Sequence, residues 1–214
     1  MKKKLLCAVI SAVMILSGCS KQQPQNDVIE DSPSLLDEYT DLTDENNLYY
    51  GDKQALHAYI EHGTGILFLG FPECPWCQAY LPLVDSVLKE TSAVAAYYNI
   101  YTDKIQDREF YDEIASLLIS QNDTDEDIIQ YDNDGQYVIY MPLLLFIEEG
   151  RIIAFDHETS MEDSSLVTPQ EYWTQEKVEQ FQERIRPWVV EIKTVQEEKN
   201  AQGCDTGCKV TSDD

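Results

Sequence analysis

Positive charge is what this chain has least of. Fifteen Lys and Arg residues stand against 40 Asp and Glu, for a formal net charge of −25 over 214 residues. Such a surface excludes the electrostatics that nucleic acid demands and argues against peripheral binding to anionic lipid. Histidine is also scarce. His57, His62 and His157 are scattered, with neither the spacing of a metal pair nor that of a catalytic Cys–His partner. No internal repeat is visible. Nor is the apolar stretch Leu5–Leu16 long enough to span a bilayer, which takes about 20 residues as a helix.

That stretch is informative in another way. It follows the basic opening Met1-Lys2-Lys3-Lys4 and leads into Leu16-Ser17-Gly18-Cys19. Charge, a short apolar run and small residues make an export signal. Ending on cysteine, the pattern resembles the lipobox of bacterial lipoproteins. The resemblance implies that residues 1–18 are a signal peptide and that Cys19 is lipidated as the mature first residue. Two or three acyl chains there would suffice for stable anchoring. An ordinary cleaved signal with a chance cysteine is the alternative. The expected location is extracytoplasmic, tethered to the bacterial cell membrane. Losing Lys2, Lys3 and Lys4 would leave the mature chain at −28.

Of the six cysteines, Cys7 would leave with the signal and Cys19 would carry lipid. Cys74, Cys77, Cys204 and Cys208 remain, as two close pairs with no odd thiol. Pairing is expected in an oxidising compartment, so evenness by itself says little about catalysis. The setting of Cys74-Pro75-Trp76-Cys77 says more. It follows Gly65-Ile66-Leu67-Phe68-Leu69-Gly70-Phe71, which reads as a fully buried strand, and it opens a helical pattern. Pro75 suits a first helical turn, where its missing N–H would have had no partner. The helix start aims free N–H groups and a positive dipole end at Cys74, favouring the thiolate that performs disulfide exchange.

The rest of the chain organises around that turn. Residues 19–45 are polar and acidic and read as a lipidated N-terminus and flexible tether. A folded domain is expected over 46–196, and 197–214 reads as an acidic tail carrying the Cys204–Cys208 pair. Leu56, Tyr59 and Ile60 share a helical face that Gly63 should end. Trp76, Ala79, Tyr80, Leu83, Val84, Val87 and Leu88 repeat at helical spacing, with Pro82 as a kink. Ala93–Ile100 is a strand candidate. Asp103 with Gln106 suits the cap of a helix that turns Phe110, Ile114, Leu117 and Leu118 inward. Residues 121–136 read as an exposed loop. Within them, Gln130–Gly135 superficially suggests an EF-hand loop but lacks carboxylates at its first and twelfth positions. Tyr140–Glu148 and Arg151–Phe155 flank Glu149-Gly150 as a hairpin. Thr168-Pro169-Gln170-Glu171 starts a last helix with Val178, Phe181, Ile185, Trp188, Val189 and Ile192 inward, bent or split by Pro187.

This order resembles the thioredoxin fold over residues 47–195, an α/β class with a central mixed β-sheet flanked by helices. The family has a kinking proline where this chain has Pro82. Met141-Pro142-Leu143-Leu144-Leu145-Phe146-Ile147-Glu148-Glu149-Gly150 resembles its cis-proline strand and turn. The resemblance implies that Pro142 is a cis-proline facing the cysteines and that Met141 governs substrate specificity. Two positions depart from it. Phe68 stands where thioredoxins bury an aspartate, and Glu73 stands where they have tryptophan. A proton acceptor must then come from elsewhere, with Glu73 or water as candidates. More narrowly, Gly70-Phe71-Pro72-Glu73-Cys74-Pro75-Trp76-Cys77 is similar to thioredoxin-like accessory proteins associated with bacteriocin maturation in Gram-positive bacteria.

The expected function is therefore a thiol–disulfide oxidoreductase with Cys74 and Cys77 as redox pair, needing no cofactor. Trp76, Met141 and Pro142 would contact substrate, Trp76 from a partly exposed position. Exported proteins or peptides with thiols or disulfides would be the substrates, and a membrane electron donor or acceptor the redox partner. Cys204 and Cys208 form either a locally closed loop or a second redox pair exchanging with the first. Two other classes stay open: a redox-inert binding module using the Met141–Pro142 face, and a Cys₄ zinc protein. Pro75-Trp76 lacks the knuckle glycines that zinc sites use, and no other metal site is expected.

Overall fold

The computed structural model describes residues 35–157 and 167–205, of which 202–205 are described as backbone only. The expectations placed on residues 1–34, including Cys19, and on Cys208 lie outside these.

Five strands make the main sheet: β1 (Leu48–Tyr50), β2 (Gly65–Leu69), β3 (Ala95–Tyr98), β6 (Leu143–Glu148) and β7 (Arg151–Asp156). Their order is β1-β3-β2-β6-β7. β3 pairs in parallel with β1 and β2, β6 runs antiparallel to β2, and β7 antiparallel to β6. Both faces are covered, which is why β2 and β3 read as unbroken apolar runs and are buried at every residue. The chain is an α/β protein of thioredoxin-like architecture. No helix among the described residues is long and apolar enough to cross a membrane.

Alternation along the strands sorts the core into two layers. Ile66, Phe68, Ala95, Tyr97, Leu144 and Phe146 face α3 (Pro75–Thr91) and α7 (Gln175–Asp205). Leu67, Leu69, Ala96, Tyr98, Leu143, Leu145 and Ile147 face α2 (Lys53–His62) and α5 (Arg108–Gln121). Asp52 caps α2 by accepting the Ala55 N–H at 2.7 Å, and Gly63 ends it. Glu149 and Gly150, both at positive φ, close the β6–β7 hairpin. A Cβ on Gly150 would lie 2.1 Å from the Glu61 carbonyl oxygen, so no larger residue fits this close approach.

Four expectations need correction. The supposed tether does not extend to residue 45: α1 (Leu35–Glu38) and the turn after it bury Leu35, Tyr39 and Leu42 in the α3 layer. Asp103 with Gln106 caps nothing, because both lie inside α4 (Ile100–Gln106). Asp107 caps α5 instead, accepting the Phe110 N–H at 3.2 Å. Asp103 is buried, held by Lys53 Nζ and the Tyr98 hydroxyl, each at 2.7 Å. Residues 121–136 are not all exposed, since Ile128 and Ile129 are buried beside the small hairpin β4 (Gln130–Tyr131) and β5 (Tyr137–Val138). The Asp132 carboxylate there accepts the N–H groups of Asp134 and Gln136, each at 2.9 Å, as a turn does. Finally, Thr168 and Glu171 form a capping box, but on the short α6 (Pro169–Tyr172). Trp173 separates it from α7, which continues past Pro187 to Asp205, so the stretch from 197 is helical that far.

Candidate dithiol site

The site forms where β2 ends. Gly70 still donates to the Tyr98 carbonyl at 3.3 Å, and the Cys74 N–H then bonds back to the Phe71 carbonyl at 3.2 Å. That turn delivers Cys74 to the N-cap of α3 with Pro75 in the first turn. The Cys74 Sγ occupies the role usually filled by a serine or aspartate oxygen, accepting the Cys77 N–H at 3.1 Å. Gln78 fixes the loop from the other side. Its amide donates to the carbonyls of Pro72 at 2.7 Å and Glu38 at 2.6 Å, tying α1 to the site.

Both thiols are free, and their environments pull them apart. Cys74 is 7% exposed and Cys77 fully buried. A hydrogen bond from the Cys77 thiol, reinforced by the backbone N–H groups of Cys77 and Trp76, holds Cys74 below the ordinary thiol range against the opposing effect of burial. Burial pushes Cys77 far above that range, and the neighbouring Cys74 adds to it. One sulfur is prepared to be a thiolate while its neighbour keeps its proton.

The structure treats the remaining candidates unequally. The Met141–Pro142 bond is cis. Pro142 is buried, and Met141 is half-buried against the cluster that holds both cysteines and Trp76. Trp76 is not partly exposed as expected. It is 7% exposed, its ring edge-to-face with Tyr172 at 5.5 Å, because α6 packs over it. Glu73 is exposed and makes no hydrogen bond or ion pair to Cys77 among the described residues. Phe68 stacks between Tyr80 and Tyr97 with ring centroids 5.9 Å from each.

Cys204 lies in the last turn of α7, with its side chain outside the description. The helix leads away from the dithiol. Gln196 donates to the Thr64 carbonyl at 2.8 Å and Lys199 to the Thr64 hydroxyl at 2.9 Å. Thr64 immediately precedes β2, at the opposite end of that strand from Cys74. Three residues of the site escaped the sequence: Tyr39, Gln78 and Tyr97. Leu35, Tyr39 and Leu42 do share a helical face, a signal obscured by the surrounding acids. Phe71 and Tyr101 stack at 4.2 Å, both half-buried, near the loop that leads to Cys74. Among the described residues no group of three or more His, Cys, Asp or Glu side chains gathers as a metal site.

No family model matches this chain, and no curated protein or solved structure does so either.

Proposed function

We propose that this chain is a membrane-anchored, extracytoplasmic thiol–disulfide oxidoreductase acting on exported proteins or peptides through Cys74 and Cys77. One observation carries the reading: the Cys74 sulfur sits at the N-cap of α3 as acceptor of a backbone N–H, one turn from a buried thiol. A static disulfide needs no such asymmetry, whereas exchange needs a thiolate that attacks and a thiol that waits.

In the reducing direction the Cys74 thiolate attacks a substrate disulfide, expelling one substrate sulfur as thiolate and leaving a mixed disulfide. Cys77 then gives up its proton and attacks the Cys74 sulfur. The mixed disulfide breaks, the second substrate sulfur leaves and is protonated, and Cys74–Cys77 closes. The chain has lost two electrons and the substrate has gained them. Oxidation of a substrate dithiol is the same sequence reversed. Met141 and Pro142 supply an edge against which an extended peptide could lie. Lipidated Cys19 would anchor the domain, and a membrane donor or acceptor would return the pair to its working state. The similarity of Gly70–Cys77 to bacteriocin-maturation accessory proteins of Gram-positive bacteria favours small exported peptides as substrates.

A redox-inert binding module is the second reading, favoured by the low exposure of Cys74. The Cys₄ zinc reading and an intramolecular Cys204–Cys208 relay both need the end of α7 near Cys74, and the Thr64 contacts of Gln196 and Lys199 speak against each. The test is thiol trapping of the full-length chain across graded glutathione or dithiothreitol ratios. Cycling near −270 mV, about that of thioredoxin, would mark a reductase, and cycling near −120 mV, about that of a strong oxidant, would mark disulfide insertion. A pair that never cycles would leave only the binding module.

A further inference from the structure

Resolution of a mixed disulfide asks for negative charge on Cys77, the sulfur least suited to carry it. Cys77 is fully buried, and among the described residues no carboxylate hydrogen-bonds it. Two hydroxyls lie in the same enclosed cluster. Tyr39 comes from the segment after α1 and Tyr97 from β3, and neither has any exposed surface. Their hydroxyls share one hydrogen bond, Tyr39 to Tyr97 at 3.3 Å. The bond uses one hydroxyl proton of the two, and the other, on Tyr97, meets no acceptor among the described residues. A buried donor without an acceptor costs free energy unless it has work at some stage of the cycle.

Packing through Phe68 links the pair to Cys77. The Phe68 ring stacks on the Tyr97 ring. A Cβ built on Gly70 would lie 2.5 Å from that phenyl ring and 3.3 Å from the Cys77 sulfur, so ring and sulfur crowd one point of backbone. Burial chiefly raises both tyrosines, and negative charge on Cys77 would raise each further, as charge on Cys74 would raise Tyr39. The other charged or titratable groups acting on the pair are Glu38 and Glu73, which act on Tyr97. Tyr50 lies ring-edge against Tyr97 and hydrogen-bonds Glu38. Burial holds both tyrosines far above their usual range, so neither serves as a base. Their capacity is to donate.

We propose that the Tyr39–Tyr97 hydroxyl pair is a positioning device for the resolving cysteine, its uncommitted proton becoming a hydrogen bond to the Cys77 sulfur as that sulfur turns anionic. The inference rests on the exchange chemistry proposed above and assigns the second half-reaction to a residue from the segment that looks like a tether. No net proton stays on the pair. Cys77–SH loses its proton to solvent, the Cys77 sulfur bonds Cys74 as the Cys74–substrate sulfur bond breaks, and the departing substrate thiolate takes a proton from solvent.

The experiment reacts the reduced full-length chain with 5,5′-dithiobis(2-nitrobenzoate) by stopped flow. The first thionitrobenzoate released reports attack by Cys74, and the second reports displacement by Cys77. Loss of a hydrogen bond to a charged group should slow the second phase about ten- to hundredfold in Tyr97→Phe and in Tyr39→Phe. The first phase should stay within about twofold, and the second should recover as pH rises. Tyr50→Phe, which removes a hydroxyl bonded elsewhere in the same cluster, should leave both phases alone. Second phases equal to wild type in both Tyr39→Phe and Tyr97→Phe, from pH 6 to 9, would overturn the inference even if both variants melt earlier. A wild-type chain with no second phase would instead sink the exchange chemistry itself.

Discussion

The two faces of the sheet are built from different materials. The layer under α2 and α5 is mostly aliphatic, with Leu56, Ile60, Leu67, Leu69, Ile114, Leu118, Leu145, Ile147 and Ile152 at its centre. The layer under α3 and α7 also has a large aliphatic share but is much richer in rings and polar tips. It holds Tyr39, Phe68, Trp76, Tyr80, Tyr97 and Phe181 together with both thiols. Aliphatic side chains contribute burial and close packing alone. Rings that carry a hydroxyl contribute burial too, but each brings a polar atom that must find a partner, so their placement is more constrained. Both faces contribute burial, and only the face under α3 and α7 combines it with sulfur chemistry.

A crossed pair of substitutions gives the hardest test of that difference. Cys74→Ser should abolish exchange altogether while leaving the thermal midpoint of the reduced protein nearly in place. Leu145 is fully buried in the middle of β6, so Leu145→Ala should cost about 2–5 kcal/mol. Exchange per folded molecule should be unchanged by it. Urea unfolding and thiol trapping on the same samples would check both. If Leu145→Ala shifted the redox equilibrium of the folded fraction, the two faces would not be separable.

A smaller effect asks how far the redox region extends along α3. Asp156, 7% exposed at the end of β7, accepts the Tyr80 hydroxyl and pairs with Arg184 Nε, both at 2.8 Å. Asp156→Ala should cost about 1–3 kcal/mol by removing the carboxylate that accepts the Tyr80 hydroxyl. The Arg184 charge adds little to that figure, because its side chain is 42% exposed and water takes over. Tyr80 follows Cys77 by nearly one turn, so the second thionitrobenzoate phase should also slow. Lost stability with unaltered thiol kinetics would confine the redox region to the first turn of α3.

What the sequence could announce was whatever local chemistry decides. The run Gly65–Leu69 is apolar at every step and became β2. Glu149-Gly150 can take positive φ and closed the β6–β7 hairpin, and Gly63 ended α2. The larger failures involve partners far along the chain. The acids between Leu35 and Leu42 suggest a solvated tether until Gln78 binds Glu38 and Tyr97 receives Tyr39. Trp76 is adjacent to two reactive residues and looks exposed until α6 covers it. Asp103 and Asp107 are equally good caps on paper, and the choice fell to Asp107 because Asn99 starts α4 a turn earlier.

The smallest effect separates the two sulfurs themselves. A free thiol in an unfolded chain titrates near about 8.5. Burial raises Cys77 far above that, so below pH 8.5 it is protonated in both states and its contribution to stability is fully present. Above pH 8.5 the unfolded chain releases the Cys77 proton and the folded chain does not. The reduced protein should then lose about 1.4 kcal/mol for each further pH unit from this group. Cys74 has the opposite sign. Its folded value is lowered, so its contribution is present above the unfolded value and disappears as pH falls through the folded one. Stability of the reduced form should therefore decline from about pH 8.5 to 9.5, and Cys77→Ala should flatten that decline. Iodoacetamide should still find a Cys74 thiolate below pH 8.5, where an ordinary thiol has lost most of its reactivity. Because Cys77→Ala also removes the hydrogen bond that lowers Cys74, urea midpoints measured on Cys74→Ser and on Cys74→Ser/Cys77→Ala across this range isolate the difference. Parallel curves would mean that Cys77 is not held out of water, and the asymmetry that makes the aromatic face reactive would go with it.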